Sequence, residues 1–148
     1  EKVKLCEKLG ADRGINYRTE DWEAVVRDAG GADVVLDMVG GPYVQKNLDV
    51  LKDQGRVVMI AFLQGPTVQL NLMRMMLKRL SLSGSTLRSR SIEEKARIAA
   101  QVERNVWPWI AAGRVKPVID STFTLNEAEQ AHARLNGGAH AGKIVLTN

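Results

Sequence analysis

Apolar positions along the chain fall into short runs that alternate between helical and strand-like spacing. Val3, Cys6 and Leu9 recur at helical spacing over Lys2–Leu9, and Gly10 follows as a natural stop. Gly14-Ile15-Asn16-Tyr17 reads as a short strand ending at Arg18. Asp21 is placed to cap a helix over Trp22–Asp28, closed by Gly30-Gly31. Asp33-Val34-Val35-Leu36-Asp37 follows, too brief for a buried helix and carrying β-branched residues. It reads as a strand covered on both faces. Gly40-Gly41 permit a sharp turn, and Pro42 suits the first turn of a helix over Tyr43–Lys52. Val44, Leu48 and Leu51 share one face of that helix. Arg56–Phe62, with Val57-Val58-Met59-Ile60 inside it, is another buried strand.

Gly65-Pro66 marks a loop, and Asn71 is placed to cap a helix running to Leu80. Leu72, Met73, Met76 and Leu80 are expected to face inward, with Arg74, Lys78 and Arg79 outward; the methionines read as core filler. Ser81–Leu87 alternates as an edge strand would. Ser91 and Glu94 form a capping-box pattern before a long helix, Ile92–Ala112, with Pro108 inside it and Gly113 after it. Val115–Phe123 is extended, with Pro117 limiting its pairing. Asn126 and Glu129 again resemble a capping box, before a helix over Glu127–Leu135. Gly137-Gly138 then turns into a final strand, Lys143–Thr147. Helix and strand alternate throughout, the pattern of an α/β fold with a doubly wound parallel sheet. No G-x-G-x-x-G occurs, and the glycine pairs have the wrong spacing for it.

Composition changes this picture little. The 148 residues are 45% hydrophobic and 26% charged, ordinary for a globular chain with a real core. The net charge of +4 comes from scattered basic residues without interleaved aromatics, which argues against nucleic acid as a partner. No apolar run reaches the length of a membrane span. One cysteine, Cys6, excludes an intrachain disulfide and a cysteine-rich zinc site, and a reducing, cytoplasmic setting fits it. Cys6 itself reads as a small core residue. The chain opens on Glu1, directly in a helical pattern, as the continuation of a longer polypeptide would.

A family resemblance rests on phrases taken in order. They are Lys8-Leu9-Gly10-Ala11-Asp12, Ile15-Asn16-Tyr17-Arg18, Asp33 to Gly41, Gly55-Arg56-Val57-Val58, Thr86-Leu87-Arg88-Ser89-Arg90, Ala131-His132 and Gly142-Lys143-Ile144-Val145-Leu146. The chain resembles, over nearly its whole length, the C-terminal portion of the zeta-crystallin-like quinone oxidoreductases of the medium-chain dehydrogenase/reductase superfamily. That resemblance implies a partial Rossmann domain over residues 1–114, lacking its first strands and binding NADPH. It further implies that residues 115–148 return to a GroES-like catalytic domain.

It also implies roles for particular residues. Lys2 and Tyr17 align with a lysine and a tyrosine near the adenosine 2′-phosphate, where an ammonium and a phenolic donor suit a phosphate. A solvated lysine and a half-buried strand aromatic are the plainer readings of the same two residues. Val39 and Gly40 fall where backbone meets the cofactor; Gly40 is equally a turn glycine. Ile60, Ala61, Phe62 and Leu63 match the loop that flanks the nicotinamide, although relatives often carry glycine where Ala61 stands. Leu87, after the last strand of this domain, lies near the same ring. Asp37 reads as a turn or cap acid, without an identifiable partner. His132 reads as structural and His140 as solvent-exposed.

The activity so implied is hydride transfer from NADPH to a quinone or similar conjugated carbonyl, by a homodimer paired through Ser81–Leu87. No catalytic residue and no metal ligand is assigned to this chain, whose isolated form is expected to be inactive. The alternatives are a zinc-type alcohol dehydrogenase or enoyl reductase of the same superfamily, and a non-catalytic nucleotide-binding or dimerising fragment.

Overall fold

The computed structural model describes residues 1–148, which divide into two compact units: Glu1 with Val3–Arg90, and Lys2 with Ser91–Asn148. The expected change of segment at residue 114/115 is a different boundary, because the long helix groups with the second unit.

The first unit contains α1 (Lys2–Lys8, Lys2 itself excepted), α2 (Trp22–Asp28), β1 (Ala32–Asp37), α3 (Tyr43–Val50), β2 (Leu51–Met59), α4 (Met73–Leu77) and β3 (Ser81–Gly84). The strands form one parallel sheet in the order β1-β2-β3, with Val35 opposite Val57 and Met59 opposite Gly84. Burial follows from this order, since β2 has a neighbour on each side. Val57 and Met59 of β2 pack with Val44 and Leu48 of α3, with Leu51, and with Leu80 just before β3. Leu48 and Val57 are fully enclosed, the apolar burial that drives the unit's folding.

Local chemistry sets several boundaries. The Asp21 carboxylate accepts from the Glu23 and Ala24 amides and starts α2. The register between β1 and β2 shifts between Ala32 and Val34, and Gln54, with φ of 59°, lies in the opposing stretch of β2. Leu51 therefore already belongs to β2, and the helix expected to reach Lys52 stops at Val50. At its other end β2 stops at Met59, three residues before the expected Phe62, and β3 stops at Gly84 rather than Leu87.

Four expectations are corrected. Residues 14–17 form no strand; the Thr19 and Glu20 amides donate to the Asn16 carbonyl, and the Asn16 amide donates to the Glu20 carboxylate. Such local bonds offer the backbone an alternative to a ladder. β1 is not covered on both faces, since Val34 and Leu36 are 47% and 65% exposed while Val35 packs on the core. In α4 the inward residues are Met75 and, beyond the helix, Leu80, whereas Leu72, Met73 and Met76 face outward. The helix ends early at Leu77, and Arg79 at φ of 55° turns the chain before Leu80. In α1 no residue is buried and Cys6 is exposed, so it is not a core residue.

The second unit contains α5 (Ile92–Ala111), β4 (Ile119–Thr124), a 3-10 turn (Leu125–Glu127), α6 (Ala128–Asn136) and β5 (Lys143–Thr147). β4 and β5 pair in parallel, with α6 as the crossover. Ser91 caps α5 by accepting from the Glu94 amide. The extended segment expected from Val115 pairs only from Ile119, beyond Pro117, which has no amide to donate. The capping box lies at Thr124 and Glu127, two residues earlier than the expected Asn126 and Glu129. Asp120 organises this unit. Its carboxylate takes two bonds from the Arg134 guanidinium and one from the Ala141 amide, all at 2.9 Å. The Arg134 pairing, then the Ala141 amide, holds the Asp120 carboxyl well below the usual carboxylate range.

Candidate functional site

The carboxyl ends of parallel strands are where ligands meet sheets of this kind. In the first unit those ends are Asp37, Met59 and Gly84, and the loops that follow are built around Asp37. Asp37 is only 4% exposed. One carboxylate oxygen accepts from the Val39 amide at 2.6 Å and the Gly40 amide at 3.2 Å. The other accepts from the Asn47 side-chain amide at 2.9 Å. Asn47, itself 5% exposed, reaches Asp37 from the buried face of α3. Every donor here faces the acid, so its charge is compensated although it is out of water.

With the Val39 and Gly40 amides held by the acid, the backbone carbonyls of residues 37–39 accept from the next loop. The Ile60 amide donates to the Asp37 carbonyl at 2.8 Å, Leu63 to Met38 at 3.2 Å, and Gln64 to Val39 at 2.7 Å. The Gly41 amide returns one bond to the Gly65 carbonyl at 3.0 Å. The approach is close enough to require glycine. A Cβ on Gly40, whose φ is 68°, would stand 2.9 Å from both the Gly65 oxygen and the Phe62 ring. The third strand joins through the Ser85 amide, which donates to the Met59 carbonyl at 2.9 Å.

What these loops present outward is mostly apolar, with Gln64 the exposed polar residue among 60–64. Met38, Ile60, Phe62 and Leu63 are 50%, 44%, 50% and 75% exposed. Beside them a concavity of about 210 Å³ is lined by Val35, Leu36, Asp37, Met38, Val39, Asn47 and a stacked pair, Trp22 and Tyr43. The two rings lie 5.6 Å apart and 4° from parallel.

The structure thus joins Val39 and Gly40 to Ile60, Phe62 and Leu63 in one hydrogen-bonded assembly, with Ala61 between them. Leu87 is exposed beyond β3, and Tyr17 is exposed in the turn before α2. Lys2 groups with the second unit, where its ammonium donates to the Gly138 carbonyl at 2.7 Å. Asp37 does have a partner, contrary to the sequence expectation. The signal was Asn47, a polar side chain on the same helix face as Val44 and Leu48, which needs a buried acceptor. His140 is part-buried rather than solvent-exposed, and its Nδ1 is enclosed without a hydrogen-bond partner. His132 is exposed on α6.

Crossover helices on a parallel sheet, with paired loops at its carboxyl edge, define a Rossmann-like α/β protein. Residues 9–146 match the family model described as zinc-binding dehydrogenase, and the chain belongs to that family. Within the medium-chain dehydrogenase/reductase superfamily it is quinone oxidoreductase-like and corresponds to the C-terminal part of its relatives. It is 30% identical over 152 residues to the quinone oxidoreductase of Mus musculus, covering 99% of this chain and 44% of that protein. It is 29% identical over 154 residues to a 2-haloacrylate reductase of a Burkholderia species, covering 99% and 45%. Among solved structures, the quinone oxidoreductase of Thermus thermophilus, studied also in complex with NADPH, superimposes with a TM-score of 0.82 at 25% identity, covering 99% of this chain and 46% of that one. The chain spans less than half the length of these relatives.

The family's description mentions zinc, but no group of three or more His, Cys, Asp or Glu side chains converges in this chain. Its own donors do not build a metal centre.

Proposed function

We propose that this chain provides the nicotinamide-facing surface of an NADPH-dependent oxidoreductase that reduces a quinone or similar conjugated carbonyl. The observation that carries this reading is the pair of loops at the sheet's carboxyl edge, locked to each other by backbone bonds while exposing Ile60, Phe62 and Leu63. When bound, the reduced nicotinamide supplies a hydride to an electrophilic carbon. The chain's residues need only orient the ring and keep water away, and a rigid apolar wall does both. With both amides held by Asp37, Val39 and Gly40 offer the cofactor close backbone contact and carbonyl lone pairs rather than donors; Ile60 to Leu63 line the ring, and Leu87 extends the wall. The anion left by hydride addition, an enolate or hydroquinone monoanion, takes its proton from solvent after the transfer, so no acid or base is required of these residues. Asp37, with both oxygens occupied, holds the turn at residues 38–40 and does not serve as a base.

Tyr17, with its exposed ring and hydroxyl, is the candidate for the adenosine 2′-phosphate end. At Lys2 a phosphate would compete with the Gly138 carbonyl for the ammonium. The open edge of β3, at Ser81–Gly84, is the candidate contact for a homodimer, since an unpaired edge favours strand addition. Gel filtration of the wild-type chain against Gly84→Pro, which removes an amide on the open side and leaves the Ser85–Met59 bond of the ladder intact, tests that contact.

Calorimetric titration of the 148-residue chain with NADPH and with NADH tests the central reading. Binding that prefers NADPH supports it, and a folded chain that binds neither overturns it. Preference for NADH would favour a second reading, an alcohol dehydrogenase. An NAD-dependent alcohol dehydrogenase superimposes with a TM-score of 0.78 at 28% identity, covering 99% of this chain and 41% of that one.

A further inference from the structure

We infer that Asp37 is a positioning residue that couples the two loops into a single surface, acting on residues 60–64 through the backbone of residues 38–40. The inference rests on the reading of those loops as nicotinamide-facing. The Asp37 carboxylate does not reach the second loop: the residue is 4% exposed, the carboxylate's partners are the Val39 and Gly40 amides and Asn47, and only the backbone carbonyl of Asp37 meets that loop, at the Ile60 amide. The effect on the second loop is geometric. A peptide unit is planar, so fixing its amide fixes the direction of its carbonyl. The Val39 amide belongs to the same peptide unit as the Met38 carbonyl, and the Gly40 amide to that of the Val39 carbonyl. Those two carbonyls accept from Leu63 at 3.2 Å and Gln64 at 2.7 Å.

One buried carboxylate therefore sets two peptide planes, and each plane places one amide of the neighbouring loop. Asn47 ties the acid to α3 and hence to the core through Leu48. The charge matters as well as the shape, because bonds to a carboxylate are about twice as strong as neutral ones.

The test uses the whole 148-residue chain and two variants, Asp37→Ala and Asp37→Asn. The first leaves three donors without an acceptor; the second keeps an oxygen but removes the charge. Amide hydrogen exchange on the ligand-free chain reads the coupling. Exchange at Leu63 and Gln64, which do not touch the Asp37 carboxylate, should rise at least about tenfold in Asp37→Ala. In Asp37→Asn the rise should be smaller, about threefold, as expected for weakening the acceptor. Should Asp37→Ala unfold, Asp37→Asn carries the comparison. Protection at Leu63 and Gln64 that is unchanged while Val39 and Gly40 lose theirs would overturn the inference, whatever the chain binds.

Titration reads the consequence. Asp37→Asn should weaken NADPH severalfold and leave adenosine 2′,5′-bisphosphate, which lacks the nicotinamide, unchanged. Equal weakening of both ligands would mean a general structural role and would also overturn the inference. Raised exchange in a chain that binds no dinucleotide would sink the cofactor reading and leave the loop coupling supported.

Discussion

Gly40→Ala should damage the paired loops by an amount that a matched control can isolate. Gly40 has φ of 68°, a left-handed conformation in which an L side chain costs about 1–2 kcal/mol. The added Cβ would also lie 2.9 Å from the Gly65 oxygen and 2.9 Å from the Phe62 ring. Phe62 is half exposed and its ring can swing aside. The Gly65 carbonyl cannot retreat without weakening the bond it accepts from the Gly41 amide at 3.0 Å, which adds about 1 kcal/mol. The sum is a loss of about 2–3 kcal/mol.

Gly30→Ala is the control, because Gly30 lies in the same unit, has φ of 92°, and has nothing within 4 Å of where a Cβ would stand. Its φ lies further from the left-handed well than that of Gly40, so alanine there carries at least as much backbone strain. Any excess at Gly40 then comes from the contacts. Urea denaturation of both variants, followed by circular dichroism, gives the difference. A Gly40→Ala variant no less stable than Gly30→Ala would refute the claim that close approach of the two loops requires this glycine.

Three further outcomes are expected. Leu48→Ala should cost about 2–5 kcal/mol in the same denaturation experiment, because Leu48 is wholly enclosed in the core. Phe62→Ala should change stability by under about 1 kcal/mol, since half the ring is in water, yet weaken NADPH in a calorimetric titration. The Asp120 carboxyl is lowered by Arg134 first and by the Ala141 amide second. Its stabilising contribution is therefore present above the ordinary carboxylate pKa and is lost as pH falls below about 4. Acid unfolding of the second unit should lose part of this pH dependence in Asp120→Asn.

Elements whose signals are local were legible in the amino-acid order. The Asp21 cap, the boundaries of Trp22–Asp28 and the final strand Lys143–Thr147 stand where the pattern put them. So does the Ser91 cap of the long helix. Each depends on bonds spanning a few residues, or on an apolar run bounded by glycine, and these are written in consecutive side chains. The same holds for the loops that carry the candidate site, since Gly40-Gly41 after an acid already marks a turn at a strand end.

What the sequence could not decide is which groups meet across that turn. Asn16 and Glu20 consume the backbone bonds that a strand at residues 14–17 would have needed. Met75 faces the core instead of Met73 and Met76, because the core cluster of α3 and β2 lies on its side of α4. Asp37 finds Asn47 ten residues away, and residues 38–39 find residues 63–64 from another loop. Periodicity fixes which face of an element is apolar, but not which face another element covers. Only the path of the folded chain brings a buried acid to its donors, and those donors decide how the two loops are held.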